Sequence, residues 1–451
     1  MTDGLNAFLF STPEMTRVWA PQEQLRAMMR FEWALTCALE KQGLAEPGSG
    51  SVMESLLDAD FVDVDRLRHE VKAAGNIVIP FAKQLTAAVK AQNEGASRAV
   101  HLGATSQDVL DTAMVLQMRG GIKVLSERVE RLDRALVEQV RTHRDTVLSG
   151  RTWLQPGPPI TLGLKLAGTL AALRRHRERI RPAAQRGLVL QFGGAVGTLA
   201  TLGDAAGPVS AEVARILELH EPELPWHTQR DRLAEMVQVL ALLTGSLAKF
   251  ARDIALLMQA EVGEASEGGD GERGGSSTMP QKHNPVACAA VIAAHARMAG
   301  LAATMLYALP QEHERGLGLW QAEGETVPEA FRLAAAALTY SVDIAENLKV
   351  DTARMQANFD ALLGVTMSEA VSAALAAAIG RSLAHDLLRE ATAQALREKR
   401  HLRDVLKEMP QVTAHLSSGE IDGLMQQGNY LGSAQRFIDR VLERVEGEPD
   451  A

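Results

Sequence analysis

The sequence is poor in cysteine and in aromatic residues. Cys37 and Cys288 are the two cysteines among 451 residues, and their use is open between one long-range disulfide and two free thiols. A reducing cytosol favours the free thiols. Aromatic residues make up 4% of the chain, whereas strands draw on aromatic and β-branched side chains. Hydrophobic residues nevertheless reach 46%, so the composition predicts a large and mainly helical core.

The chain also lacks an excess of basic residues. It has 47 lysines and arginines against 56 aspartates and glutamates, a net charge of −9. Nucleic acid is therefore disfavoured as a partner, because phosphate binding relies on a basic surface. A small anionic substrate remains compatible, since a local site can be basic on an acidic protein.

No stretch of about 18 uncharged apolar residues is present, which argues against a membrane span. The best candidate, residues 239–257, contains Lys249, Arg252 and Asp253. The N-terminus has no basic region and carries Asp3, so it is a poor signal peptide. We expect a cytoplasmic protein with no membrane partner.

Apolar residues recur at helical spacing after position 230. The steps alternate between three and four residues, which is typical of the seam of a long bundle helix. The seam consists of Leu233, Met236, Leu240, Leu243, Leu247, Phe250, Ile254 and Leu257. Val237, Val239, Leu242 and Leu256 widen the apolar surface, so this helix should be buried among several others.

Further helices are predicted over residues 125–140, 160–180, 328–347 and after Asn284-Pro285. The second of these should open after Pro158-Pro159, because proline is favoured in a first helical turn. No sustained alternation of apolar and polar residues is seen, so the expected fold class is all-α. Breaks in the pattern predict three domains, residues 1–110, 111–355 and 356–451.

Residues 274–286 form the first of four segments that could carry chemistry. Ser276, Ser277 and Lys282 follow glycines there, and Asn284-Pro285 resembles an N-cap followed by the first helical residue. A helix N-terminus beside a lysine is a natural carboxylate site. The alternative is a solvated linker with a plain helix cap.

Two more segments place hydroxyl, amide and guanidinium groups at predicted helix starts. In residues 101–108, Thr105 and Asp108 have the spacing of a capping box. In residues 226–235, Gln229 and Arg230 could bind an anion. For residues 101–108 the alternative is an ordinary helix cap with a histidine in the turn. For residues 226–235 it is a charged, solvated first turn of a helix.

The fourth segment, residues 311–323, contains Arg315 as a further candidate carboxylate clamp. His313 lies between two glutamates, but no second histidine follows at helical spacing, so a zinc site is not predicted. The alternative is a surface helix end.

Together, these segments resemble the fumarase/aspartase superfamily. Residues 275–285, GSSTMPQKHNP, match its signature G-S-S-x-M-P-x-K-x-N-P. The order of the segments is similar to the adenylosuccinate-lyase-like branch, and within it to the bacterial 3-carboxy-cis,cis-muconate cycloisomerases. That likeness is carried by VHLGATSQD at 100–108, GRTWLQ at 150–155, LQFGGA at 190–195, PWHTQRD at 225–231, PQEHER at 310–315 and GLW at 318–320.

The resemblance implies a three-domain, all-α subunit with a long central helix bundle. Four subunits would form a homotetramer with a 20-helix core and active sites shared between subunits. It also implies a small tricarboxylate substrate, no cofactor and no metal ion. The implied reaction is the reversible conversion of 3-carboxy-cis,cis-muconate to 4-carboxymuconolactone in protocatechuate catabolism (the β-ketoadipate pathway), through an aci-carboxylate intermediate.

The resemblance also carries over candidate residues. Ser276 aligns with the serine that moves the proton, and Lys282 is the second candidate catalytic residue; which of Ser276 and Ser277 moves the proton is left open. The candidate substrate-binding residues are His101, Thr105, Ser106, Gln107, Gln155, Gln229, Arg230, Ser277, Asn284 and Arg315.

One position departs from the branch pattern, which reads Gln-His after Arg-Thr-x-x. Here Gln155 is followed by Pro156, which cannot transfer a proton. This counts against adenylosuccinate lyase, whose nitrogen leaving group needs an acid. A cycloisomerase expels a stabilised carboxylate and tolerates the loss, and His227, His283 or His313 could compensate.

Two other functions stay open on the sequence. One is a sister enzyme, such as a cycloisomerase for a sulfonated muconate. The other is a non-catalytic helical scaffold of the kind recruited as lens crystallin, although a scaffold has no use for converging cations.

Overall fold

The computed structural model describes residues 5–269, 274–275, 278–279 and 282–446. The architecture is almost entirely helical, so the predicted all-α class is confirmed. The N-terminal part contains α1 (Pro13–Val18), α2 (Pro21–Lys41), α3 (Ser49–Glu54), α4 (Val64–Ala74) and α5 (Val78–Gln92). The long helices are α6 (Ser106–Thr142), α7 (Leu162–Gly187), α9 (Asp231–Leu257), α10 (Val286–Tyr307) and α11 (Leu319–Asn347), with the shorter α8 (Ala206–Leu217) between α7 and α9. The C-terminal part contains α12 (Thr352–Asp360), α13 (Ser368–Ile379), α14 (Arg381–Glu398), α15 (Leu402–Glu408), α16 (Pro410–Thr413), α17 (Ser418–Leu424) and α18 (Ala434–Glu446).

The seam predicted after position 230 lies on α9. All eight of its side chains are buried, from Leu233 to Leu257. Of the four flanking residues, Val237 and Val239 are buried, whereas Leu242 is 54% exposed in the single chain. The helices predicted after Asn284-Pro285 and near 328–347 are observed as α10 and α11.

A β-hairpin occupies a position where the sequence predicted the start of a helix. Strands β1 (Val147–Thr152) and β2 (Gln155–Thr161) pair antiparallel, with an irregularity between Ser149 and Arg151. Pro158 and Pro159 lie in β2 and not in the first turn of α7, so that expectation is wrong. A two-stranded ribbon tolerates proline because each strand has a free edge. A second short pair joins β3 (Ala265–Ser266) to β4 (Lys349–Val350).

The chain divides into two compact units. The first contains residues 1–129, 176–245 and 293–339, and the second contains residues 130–175, 246–292 and 340–451. Within the second unit, residues of α12 to α17 form their own hydrophobic cluster, which includes Val371, Leu375, Leu406 and Ile421. Each unit is discontinuous in sequence and the long helices contribute residues to both. The two units therefore do not test the three successive domains, which remain a prediction.

By length and composition alone, α9 and α10 could each cross a membrane. This differs from the sequence expectation, because each helix contains an 18-residue stretch with no more than two charged side chains. The most apolar stretch of α9 is 56% buried within the chain, and that of α10 is 39% buried.

The first unit encloses a buried ion cluster around Arg230, which directly precedes α9. Its Nη1 and Nη2 atoms donate to the two carboxylate oxygens of Asp111 on α6, at 2.7 and 2.9 Å. Its Nε and Nη2 atoms donate to Glu323 on α11. The guanidinium also lies over the Trp226 ring, 4.9 Å from its centroid. Since buried charges must be paired, this cluster fixes the starts of α9 and α11 against the first turns of α6.

Replacing Arg230 with glutamine should destabilise the fold strongly. Two carboxylates would remain in a dry interior without their cation, which typically costs about 3–5 kcal/mol. The matched control is Arg186→Gln, which breaks the exposed ion pair with Glu235 and should cost less than about 1 kcal/mol. Urea unfolding at equal protein concentration measures both. Equal losses for the two variants would contradict the role assigned to the cluster.

Candidate active site

Arg315 lies beside the start of the longest helix. Its Nη1 atom donates a hydrogen bond to the hydroxyl of Thr105, the residue directly before α6, which begins at Ser106. Arg315, Thr105 and Ser106 are each half-buried, so a ligand can still reach their hydrogen-bond donors. Within the described residues, no carboxylate forms an ion pair with Arg315. A guanidinium, two hydroxyls and a helix N-terminus are thus gathered at one place.

The loop before α6 is fixed by Asp108, which is completely buried. Five donors converge on its carboxylate: Thr105 N (3.0 Å), Gln191 Nε2 (3.1 Å), Gly193 N (3.1 Å), Gly194 N (2.9 Å) and His227 Nε2 (2.7 Å). The predicted capping box is therefore half formed: Asp108 accepts from the Thr105 amide, while the Thr105 hydroxyl accepts from Arg315. A charged acceptor with this many donors holds the loops at 101–108, 191–194 and 226–230 together.

The glycine pair in the 191–194 loop allows this convergence. Gly194 adopts φ +68°, and a Cβ atom there would lie 2.8 Å from the carbonyl oxygen of Gly103. A Cβ atom at Gly193 would lie 2.6 Å from Pro225. A Cβ atom at either position would force its neighbours to shift, so glycine allows both amides to approach Asp108 this closely.

His101 is bound to a buried glutamate of α2. The Glu32 carboxylate accepts from the His101 backbone amide at 3.0 Å and contacts the ring Nδ1 atom at 2.6 Å. Burial lowers the pKa of His101, but the hydrogen bond and charge of Glu32, with a contribution from Asp108, outweigh it and raise that pKa above its ordinary value. The ring lines a cavity of about 450 Å³ together with Ser106 and, on α5, Lys83 and Thr86.

The other predicted residues of the first unit are placed differently. Gln107 is completely buried, and its amide donates to Asp111 and to the His227 carbonyl. Gln229 is exposed at the start of α9. Arg230 is paired with the carboxylates of Asp111 and Glu323, so it stabilises the fold around the site. Arg315 has no such partner among the described residues and remains available to bind a carboxylate.

In the second unit, the N-terminus of α10 already holds a carboxylate from the protein itself. The buried Glu267 accepts from the amides of Ala287 and Cys288, at 3.1 and 3.0 Å. This helix start therefore binds a carboxylate, as its sequence suggested, but the carboxylate comes from the protein itself. Asn284 uses its side-chain amide to donate to the Gly274 carbonyl at 2.9 Å, which closes the base of the serine-containing loop.

Lys282 is exposed beside this loop. Ser276 and Ser277 lie outside the described residues, so the catalytic roles predicted for them and for Lys282 stay predictions. The second unit also carries Gln155, which is exposed at the first position of β2. Nearby, Arg151 forms a bidentate ion pair with the buried Glu264, at 2.6 and 2.9 Å.

Of the three histidines that could compensate for Pro156, His227 is buried and bonded to Asp108. His283 and His313 are exposed.

Neither Cys37 nor Cys288 is in a disulfide, which agrees with the favoured interpretation of two free thiols.

Sequence reasoning missed Glu32, Asp111, Glu267 and Glu323. One signal was present: Glu32 lies four residues after Met28 and three before Leu35, on the apolar face of α2. A carboxylate at a core position of an amphipathic helix indicates a buried partner. The sequence analysis identified no comparable signal for the other three.

The described geometry favours binding of a carboxylate in the first unit. Arg315, Thr105, Ser106 and His101 present donors, whereas the nearby buried charges are already compensated. An anionic ligand would supply the negative charge that Arg315 lacks.

Comparison with known proteins agrees with this chemistry. A lyase family model matches residues 14–300, and the model of the adenylosuccinate lyase C-terminus matches residues 364–441. A 3-carboxy-cis,cis-muconate cycloisomerase of Pseudomonas aeruginosa is 47% identical, over 97% of this chain and 95% of the relative.

Solved structures give the same result. The 3-carboxy-cis,cis-muconate lactonizing enzyme of Pseudomonas putida matches with a TM-score of 0.92 and 45% identity, over 98% of this chain and 99% of that one. A fumarate lyase of Mesorhizobium sp. BNC1 matches with a TM-score of 0.89 and 35% identity, over 96% and 98%. From its sequence motifs, its helical fold and these near full-length matches, the chain belongs to the fumarase/aspartase superfamily.

Proposed function

We propose that this chain is a 3-carboxy-cis,cis-muconate cycloisomerase, an intramolecular lyase that forms 4-carboxymuconolactone reversibly. The observation that carries the proposal is Arg315 beside Thr105 at the start of α6, without a paired carboxylate in the described part of the chain. A tricarboxylate substrate would provide that carboxylate. The identity of about half the residues with relatives that bear this name supports the choice of substrate.

In the forward reaction, a carboxylate oxygen of the substrate forms a bond to one carbon of a C=C, and the neighbouring carbon gains a proton. In reverse, a base removes the proton alpha to a carboxylate, and the ring carboxylate leaves with the electron pair of the C–O bond. The intermediate is an aci-carboxylate with extra negative charge. Preorganised donors that face this charge lower the barrier, and Arg315, Lys282 and Asn284 are the candidates for this role.

Ser276 is the proposed proton carrier. Its activation would come from the local electrostatics of the loop, including the ammonium of Lys282. Pro156 fits this scheme because the leaving group is a carboxylate, which is stable as an anion and needs no general acid. The same replacement would disable an enzyme that expels nitrogen.

We further propose a cytoplasmic homotetramer with active sites shared between subunits, acting in protocatechuate catabolism. In the single chain, several apolar side chains of the long helices are exposed. These are Leu242 of α9 and Val286, Leu306 and Tyr307 of α10. Contact with other subunits would remove this surface from water, which also offers a reason other than a membrane for the apolar character of α9 and α10.

The purified protein should consume 3-carboxy-cis,cis-muconate, seen as loss of the diene absorbance, with the lactone as product. A panel with unsubstituted and sulfonated muconates and adenylosuccinate, compared by kcat/KM, would identify the preferred substrate. Failure of the carboxylated muconate to react would remove this function.

The Arg315→Met variant should lose about 10²–10³-fold in kcat/KM, the usual effect of removing one preorganised donor from a developing charge. Arg215→Met is the matched control, because Arg215 forms an exposed ion pair with Glu212 of the same helix. Steady-state kinetics measures both. A change within threefold for Arg315→Met would exclude it from the site.

The Ser276→Ala variant should lose about 10²–10⁴-fold in kcat while it remains folded, since acid–base groups typically contribute this much. Ser277→Ala, its matched neighbour, decides which serine carries the proton.

Mixing refolded Ser276→Ala and Arg315→Met subunits tests whether the active site is shared between subunits. If different subunits supply these two residues, about a quarter of the sites in random mixtures regain both, whereas sites within one subunit would regain no activity.

A further inference from the structure

Glu32 has no function in the reaction as described above, yet it is a completely buried carboxylate. It lies on α2 among Met28, Met29, Phe31 and Leu35, all of them buried. Placing a carboxylate in such surroundings costs free energy unless hydrogen bonds or a cation compensate it.

In the described part of the chain, both hydrogen bonds to Glu32 come from His101. Oε2 accepts from the backbone amide and Oε1 faces the ring Nδ1 atom. His101 has φ +59°, a left-handed conformation that costs a non-glycine residue about 1 kcal/mol or more. The bidentate contact with Glu32 therefore holds backbone and ring in one arrangement.

This contact determines which ring nitrogen carries hydrogen. A carboxylate can only accept, so Nδ1 must be the protonated nitrogen. Nε2 is then the nitrogen left for a ligand, and a quarter of the side chain is exposed in the cavity that Ser106 and Lys83 also line. In the neutral ring with hydrogen on Nδ1, Nε2 carries no hydrogen and cannot donate to an anion. In the imidazolium form both nitrogens carry hydrogen, so Nε2 can donate.

The charged groups around the ring come from three helices. Glu32 belongs to α2, Asp108 to α6 and Lys83 to α5. The two carboxylates favour the imidazolium and burial opposes it, while Lys83 is the charged residue of α5 that lines the same cavity. With the raised pKa of His101 noted above, the positive charge is present at lower pH and is lost as the pH rises through that pKa.

We propose that Glu32 is a positioning residue for ligand binding: it orients His101 with Nε2 toward the cavity and keeps the ring positively charged, so that His101 binds one carboxylate of the substrate. The identity of the ligand rests on the proposed function. The tautomer and charge of His101 do not, and they can be measured without turnover.

The first experiment observes the histidine rings by NMR in protein labelled with 13C at Cε1 and Cδ2, with His101 assigned by its absence in His101→Asn. In the wild type, His101 should show hydrogen on Nδ1 and a pKa above that of a free histidine. In Glu32→Gln the amide offers one acceptor for two donors, so the Nδ1-protonated form should be lost and the pKa should fall by about one unit or more. The control Glu23→Gln removes the same charge from the same helix and should leave His101 unchanged.

The second experiment measures kinetics with the carboxylated muconate against pH. Glu32→Gln should raise KM about tenfold at mildly alkaline pH with kcat changed less than threefold, and should move the alkaline fall of kcat/KM to lower pH. In a His101→Asn background, the Glu32→Gln change should have no further effect on KM. A merely structural glutamate would give the same loss in both backgrounds.

The outcomes separate the two proposals. If the wild-type His101 carries its hydrogen on Nε2 or has a pKa at or below that of a free histidine, the inference about Glu32 is wrong, whatever the enzyme turns over. If the NMR result is as expected and the wild type does not convert the muconate, the proposed function is wrong and the His101–Glu32 pair stands. If Glu32→Gln does not fold, the wild-type spectrum alone decides the arrangement of the pair.

Discussion

Buried charge is the constraint on which the arrangement of the first unit depends. Asp108 and Arg230 are both almost inaccessible to water, and each would be prohibitively costly without partners. Apart from the Thr105 amide, their hydrogen-bond partners come from segments more than 80 residues away in the chain, such as Gln191 and Glu323. Satisfying these two side chains therefore forces three loops and the starts of three long helices into one place.

The same constraint separates supporting groups from those that face a ligand. Arg230 and Glu267 resemble site residues by position, but protein partners already saturate them. Arg315 and His101 lie at the margin of the buried region, where one side of each group is fixed by the protein and the other is open. A site built in this way is preorganised, because the open groups need no rearrangement when an anion arrives.

Pro156 shows how the reaction limits what the fold must supply. Elimination of a nitrogen group needs an acid at this position, and proline excludes one. Expulsion of a carboxylate does not, so the donors that stabilise the electron-rich intermediate become the main requirement. The proposed chemistry is consistent with a site that is rich in cations and hydroxyls and has no histidine at position 156.

The sequence by itself determined the helical class, the buried seam of α9 and the family, because apolar periodicity and the serine-loop motif are local patterns. It missed the β1–β2 hairpin: the turn uses Trp153 and Leu154 at positive φ, where glycine or asparagine would have been the signal. It could not distinguish Arg230 from Arg315, since both are arginines in polar segments that could bind an anion. Only the tertiary structure decided that distinction, because compensation of a charge depends on carboxylates such as Asp111 and Glu323, which reach Arg230 through folding and not through nearness in the chain.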